Sequence, residues 1–217
     1  MFYFKYIRQM VEYDLKTQED GGSKDMECRE KFKKTVEAFL PYNEQEEKDK
    51  EMILRYLSSG EPVFSRESTG AHMSASAWVV NKSRDKVLMA YHNIYDSWAW
   101  TGGHADGETN LLMVAVREAM EETGITAVKP VSEDIFSLEV LTVDGHEKRG
   151  AYVSSHLHLN VTYLLEADDK EALHKKEDEN SAVGWFGMEE CLTAVNEPWM
   201  RERIYKKLLN KMKDRNY

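Results

Sequence analysis

The stretch GGHADGETNLLMVAVREAMEETGI, residues Gly102 to Ile125, changes character halfway along. It opens as a loop, with Gly102, Gly103 and Gly107 supplying backbone freedom and Asp106-Gly107 forming a turn dipeptide. It then becomes a helix, for which Asn110 is the candidate N-cap and Gly124 the expected stop. At ~100° per residue, Leu112, Val116, Ala119 and Met120 share one face. Glu118, Glu121 and Glu122 share another.

Carboxylates three and four apart on one helical face repel each other by roughly a few tenths of a kcal/mol per pair. Arg117, four residues before Glu121, offsets part of that. Two readings follow from the spacing alone. The face is either solvated, as most acidic clusters are, or a site for a hard divalent cation, because Mg²⁺ takes oxygen ligands and shares them with substrate phosphates.

The run Arg117-Glu118-Ala119-Met120-Glu121-Glu122-Thr123-Gly124-Ile125 resembles the second half of the Nudix box, G-x5-E-x7-R-E-U-x-E-E-x-G-U, where U is a bulky apolar residue. Counting back from Arg117 puts Gly103 on the first glycine. Two positions depart from the pattern. Thr109 stands where the first glutamate belongs, with Glu108 one place earlier, and Ala119 is smaller than the usual residue. A family-like pattern of strands extends the resemblance across about residues 70 to 195.

At 217 residues the chain can hold one good-sized core with an appendage. A hydrophobic share of 41% beside 31% charged residues suits a globular protein. A formal net charge of -10 argues against nucleic-acid binding through a broad basic surface. No stretch approaches the ~20 apolar residues that cross a bilayer, and Lys5 and Arg8 interrupt the apolar N-terminus. Cys28 and Cys191 lack metal-ligand spacing and read either as a disulfide pair or, in preference, as free thiols of a reducing compartment, so a cytoplasmic protein without membrane partners is expected.

Residues 1 to 20 fit a strand or a helix, and Gly21-Gly22-Ser23 reads as a linker. Phe32, Val36, Phe39 and Leu40 recur at helical spacing up to Pro41. Asn43 is placed to cap a second helix reaching Ser59, with Glu44/Lys48, Glu46/Lys50 and Glu51/Arg55 as surface pairs and Ile53, Tyr56 and Leu57 inward. This divides the chain into an N-terminal helical extension, 1–65, and a main domain, 66–217. The helical pair is expected to pack on that domain or on a homodimer partner.

Within the main domain, strands are expected over Ala71–Val80, Lys86–His92, Ile135–Val143, Tyr152–Leu165 and Ala182–Phe186. In the first, His72, Ser74 and Ser76 share a face. Trp98 and Trp100 flank Ala99 on a short extended segment, where an indole either stacks a base or fills the core. Lys148 and Arg149 lie near a turn, available to a phosphate. His156, His158 and Asn160 alternate on the long strand. A histidine pair can bind a metal, but no third N or S ligand stands nearby in sequence, so His158 reads as substrate-cleft lining or as solvated. Residues 168–180 are a charged loop or short helix, and helices follow over Met188–Val195 and Pro198–Met212.

Interleaved strands and helices favour an α/β fold. The resemblance implies an α/β/α sandwich with a mixed sheet, and a Mg²⁺-dependent pyrophosphohydrolase, with Mn²⁺ as the alternative ion. Its substrate would be a small molecule, a nucleoside diphosphate linked to another moiety. On that resemblance Glu118 and Glu122 are the main metal ligands, and Glu121 is a further ligand or a base acting through water. Arg117 orients a carboxylate, and the Gly103 carbonyl reaches the metal. Relatives with a general base outside the box point to Glu177 or Glu179, of which Glu179 is preferred; Trp98 and His158 would line the substrate site. The altered position at Thr109 and the helical extension motivate one alternative, a non-catalytic Nudix-type nucleotide-sensing or protein-interaction module. Intact Glu118, Glu121 and Glu122 weigh against it.

Overall fold

The computed structural model describes residues 21–148, 150–215 and 217; the expectations for residues 1 to 20 and for Arg149 lie outside them. Two helices come first, α1 (Gly21–Ala38) and α2 (Glu44–Ser58). The expected linker at Gly21-Gly22-Ser23 is instead the first turn of α1. Asn43 caps α2 as its sequence requires, its Oδ1 accepting the Glu46 N–H at 3.0 Å.

An eight-stranded mixed sheet follows, built on β1 (Ala71–Asn81) and β9 (His156–Ala167). These two strands pair in parallel along their length, from Ala71 beside Leu157 to Asn81 beside Ala167. Antiparallel partners flank them: β2 (Lys86–His92), β3 (Ser97–Ala99), β4 (Thr101–His104), β5 (Val128–Pro130), β6 (Ser137–Val143) and β10 (Asn180–Gly187). The expected strand Tyr152–Leu165 is in fact two. Its start belongs to a separate hairpin, β7 (His146–Lys148) with β8 (Ala151–Val153), and only the rest joins the sheet. The Gly102–Ile125 stretch supplies most of β4 and all of α3 (Leu111–Thr123).

Strand alternation divides the sheet into two faces. Met73, Ala75, Ala77 and Val79 on β1, with Leu159, Val161 and Leu165 on β9, form one core with Leu112, Val116 and Ala119 of α3. Phe32 and Val36 of α1 and Ile53 and Leu57 of α2 belong to that same core. The opposite face carries Trp78, Val80 and Leu164, covered by α4 (Glu190–Ala194) and by a π-helical turn, Met200–Tyr205, that runs into α5 (Lys206–Asp214). Tyr205 stacks on Trp78 with ring centroids 5.5 Å apart. Each fully buried Leu or Ile side chain contributes roughly 1.5–3 kcal/mol, so these two layers are the main source of stability.

Among the described residues none of the three expected surface pairs on α2 forms: Lys48 Nζ takes Glu51 at 3.0 Å instead of Glu44, and Glu46 leaves Lys50. Glu46 is fully buried and turns from Lys50 towards α5, where Lys211 Nζ donates to its Oε1 at 2.6 Å. Lys207 lies 3.4 Å from the same oxygen and 2.9 Å from Glu139 Oε1 on β6. Glu139 Oε2 accepts Asn160 Nδ2 at 3.0 Å and Thr162 Oγ1 at 2.8 Å. This network ties the N-terminal helices, the sheet and the C-terminal helix together. Burial raises the proton affinity of Glu46, but Lys207 and Lys211 outweigh it and hold the carboxyl below its usual range. Lys50 is used elsewhere, donating to the carbonyls of Glu37 and Phe39 at the α1 C-terminus.

Candidate active site

The site grows from the contact between β4 and α3. Gly102 and Gly103 pair with Ser76 and Ala75 of β1. A Cβ on Gly102 would lie 2.7 Å from the Ala75 carbonyl oxygen, so the close strand approach requires glycine. A Cβ on Gly103 would lie 2.5 Å from Glu118 Cδ, because that carboxylate rests over the Gly103 backbone. The loop beyond β4 turns at Asp106 (φ 48°) and Gly107 (φ 96°). Arg66 grips Asp106 through both carboxylate oxygens, with Nε 2.6 Å from Oδ1.

Asn110 occupies the N-cap position of α3 without a side-chain cap bond. Glu108 acts there instead, its Oε1 accepting the Asn110 N–H at 2.6 Å. The helix ends at Gly124 in the left-handed conformation (φ 72°), as its sequence indicates.

Two of the three acidic residues of α3 turn towards the sheet, so the solvated-face reading holds for Glu121 alone. Glu122 is 4% exposed and Glu118 half-buried, whereas Glu121 is open to solvent. Glu122 Oε1 accepts the Gly102 N–H at 2.8 Å, and its Oε2 accepts Asn180 Nδ2 at 2.9 Å. Each oxygen keeps a further lone pair. Arg117 Nη2 approaches Glu118 at 3.4 Å and its Nε approaches Glu121 at 4.0 Å. Lys176 Nζ holds Glu179 at 2.8 Å and reaches Glu121 at 4.0 Å, which brings the charged 168–180 loop onto the site.

The electrostatics follow from burial without compensation. Desolvation pushes the Glu122 carboxyl up to about 7, and Glu118 and Glu179 add to the rise against the Gly102 and Asn180 hydrogen bonds. Glu118 is also raised, first by burial, with Arg117 opposing and Glu121 reinforcing. Two buried carboxylates over a glycine backbone, neither in contact with a lysine, form an all-oxygen donor set short of positive charge. That set fits a hard divalent cation.

Trp98, half-buried, packs edge to face on Phe186 at 4.6 Å and on Tyr91 at 5.5 Å, against the core cluster of Trp78 and Tyr205 rather than that of α3. His158 is partly buried on β9. It sits among His72, His104 and His156, with its Nε2 3.2 Å from His104 Nε2 and 3.3 Å from His156 Nε2. Burial and these neighbouring imidazoles push the His158 ring down to about 2, so it is neutral at physiological pH. The third nitrogen ligand missing from the local sequence comes from β1, where His72 pairs directly with His158. Asn180 and Lys176 were also not singled out from the sequence, since neither belongs to a recognisable motif.

Cys28 and Cys191 form no disulfide with each other. No helix among the described residues is long and apolar enough to cross a membrane.

The chain is similar in fold to solved structures of low sequence identity. The Ap4A hydrolase of C. elegans is 19% identical with a TM-score of 0.47, the match covering 66% of this chain and 96% of that one. The dihydroneopterin triphosphate pyrophosphohydrolase of E. coli is 13% identical with a TM-score of 0.47, covering 64% and 94%. A NUDIX-family hydrolase of Clostridium perfringens is 19% identical with a TM-score of 0.44, covering 65% and 96%. Among curated proteins, none matches this sequence. The NUDIX domain profile matches residues 70–208, which spans both faces of the sheet, the glycine loop and α3. The chain therefore belongs to the Nudix hydrolase family, enzymes that act on phosphoric anhydride bonds.

Proposed function

We propose that this protein is a Mg²⁺-dependent pyrophosphohydrolase that cleaves the diphosphate linkage of a nucleoside diphosphate joined to another moiety. The observation that carries this reading is the convergence of Glu118 and Glu122 on Gly102-Gly103, with Glu122 buried against backbone and an amide and Glu118 met by the part-exposed Arg117 at 3.4 Å. Mg²⁺, or Mn²⁺ in its place, would be held by Glu118 and Glu122 with Glu121 and the Gly103 carbonyl. When bound it would neutralise the diphosphate and acidify a bound water.

The remaining work falls to the chain. Asn180 and the Gly102 N–H fix the Glu122 carboxylate so that its free lone pairs keep one direction. Arg117 bridges Glu118 and Glu121, restraining both against mutual repulsion. Glu179, restrained by Lys176, takes a proton from the attacking water at its carboxylate. Attack on one phosphorus breaks the bridging P–O bond and releases two phosphate-bearing products. Trp98 offers an aromatic edge for the base. The substrate is a small molecule, and the acidic chain is not a nucleic-acid binder.

The test is phosphate or nucleotide release from a panel of nucleoside diphosphate derivatives, with and without Mg²⁺ or Mn²⁺, for wild type and Glu122→Gln. Metal-dependent turnover that falls at least ~100-fold in the variant is expected, the scale of losing about 3 kcal/mol of transition-state stabilisation. Turnover that ignores the metal, or survives the substitution, would contradict the assignment.

A further inference from the structure

A second set of ligand-type side chains lies outside the glutamate site, on the sheet face that Trp78 shares. His72 of β1 and His158 of β9 are direct neighbours in the parallel register, and His156 precedes His158 by two residues on the same face. His104, at the end of β4, pairs with Ser74 and completes the group. The four rings crowd together, with His72 centroids 5.1, 4.8 and 5.1 Å from those of His104, His156 and His158.

Backbone carbonyls fix the tautomers of two of them. His72 Nδ1 lies 3.1 Å from the Ser68 carbonyl and His156 Nδ1 lies 2.8 Å from the Ser154 carbonyl. A carbonyl only accepts, so each Nδ1 carries the proton and each Nε2 keeps a lone pair. The same carbonyl-to-imidazole bond orients histidine ligands in metal sites.

The lone pairs then point at one another. His156 Nε2 has no proton to offer His158 Nε2 at 3.3 Å, and His158 Nε2 is either one donor or one acceptor. Through that one atom it can serve only one of the two neighbouring ring nitrogens. His72 Nε2 is buried with no hydrogen-bond partner, on a residue 5% exposed. Such orphaned nitrogens cost free energy unless something is bound between them.

Their spacing names the occupant. Tetrahedral zinc with Zn–N bonds of about 2.0–2.1 Å holds its nitrogens about 3.3–3.4 Å apart. His158 lies 3.3 Å from His156 and 3.2 Å from His104, nitrogen to nitrogen. The ligand nitrogens of His72, His156 and His158 all fall within 4.8 Å of one another.

We propose that His72, His156 and His158, with His104 as fourth ligand, bind one divalent cation of the zinc class through Nε2 or the equivalent ring nitrogen. An all-imidazole set selects borderline metals such as Zn²⁺ over Mg²⁺, which prefers the oxygens of Glu118 and Glu122. The nearby positive charge, Arg66, is already neutralised by Asp106. The ion pins the ends of β1, β4 and β9 together, and His104 is the residue next to Gly103, so it steadies the loop that faces the glutamates.

Chelator-treated full-length protein titrated with Co²⁺ tests this, read as visible d–d absorption and as stoichiometry. One equivalent with the intense bands of tetrahedral cobalt, displaced by Zn²⁺, is expected in wild type. His156→Gln, at a half-exposed strand end, and His104→Gln should each weaken binding at least ~10–100-fold, with far-UV circular dichroism confirming the fold. Glu122→Gln should leave the bands unchanged. Absence of bands in wild type, or bands lost in Glu122→Gln but kept in both histidine variants, would overturn the proposal.

Discussion

Two regions of this molecule bury carboxylates, and they treat them in opposite ways. At the helix junction, Glu46 and Glu139 meet Lys207 and Lys211 within hydrogen-bonding distance, and Glu46 is held below its usual range. At the glycine loop, Glu118 and Glu122 meet backbone, an amide and a peripheral arginine, and Glu122 rises to about 7. Burial penalises charge equally in both places. In the first region the protein supplies the countercharge, and the result is scaffold. In the second it withholds it, and the result is an affinity for an outside cation.

The comparison breaks most visibly on the scaffold side. Lys211→Ala leaves Glu46 buried with only the more distant Lys207, and should destabilise the fold by roughly 3–5 kcal/mol in denaturant unfolding. Glu122→Gln should behave oppositely in metal-free protein. Its amide can keep the Gly102 bond and donate to Asn180 Oδ1, which has no partner, once the Asn180 amide turns over. Stability at pH 8 should hold or rise, by up to about 3 kcal/mol from the relieved charge. A large loss of stability would mean that Glu122 is structural.

Gly103→Ala sharpens the active-site half. The glycine lies outside the left-handed region, and the three atoms nearest the added methyl all belong to the Glu118 side chain. Displacing that carboxylate should lower kcat/KM about 100-fold with little change in Tm. Retained activity would show that the Glu118 position over the glycine is incidental.

The two regions also predict opposite pH limbs in metal-free unfolding. Glu46 is lowered, so the stability it contributes is present above the ordinary carboxylate pKa and lost as pH falls through the folded value. Glu122 is raised, so its folded form holds a proton longer, and stability declines as pH rises from 4.5 to about 7. Glu122→Gln should flatten that second limb and spare the acid one. The smallest effect belongs to Asn43→Ala, which removes the α2 cap for about 1 kcal/mol of stability and should leave activity unchanged.

Much of this was legible in the sequence because local pattern determined it. The period of Leu112, Val116 and Ala119, the stop at Gly124 and the alternation along Ala71–Val80 each follow from chemistry within a few residues. What was hidden depends on partners distant in the chain. Glu46 sits in a charged run that resembles a solvated face, and only α5, at the far end of the chain, buries it. His72 and His158 each appeared on a polar strand face, but the parallel register that makes them neighbours is invisible to periodicity. Asn180 reads as the end of a charged loop until the bulged pairing of β10 with β2 brings it to Glu122. The π-helical turn at Met200–Tyr205 likewise has no local signal beyond that of an ordinary helix.

The most direct measurement is thermal unfolding of chelator-treated wild type and Glu122→Gln at pH 8, each with and without excess Mg²⁺. A ligand that binds only the folded state stabilises it by about 2.7 kcal/mol at 100 times its Kd. The account predicts a Mg²⁺-dependent rise in wild-type Tm that is absent in Glu122→Gln, with the variant no less stable than wild type when metal is absent. An equal Mg²⁺ shift in both proteins, or none in either, would contradict the claim that the uncompensated glutamates form the cation site.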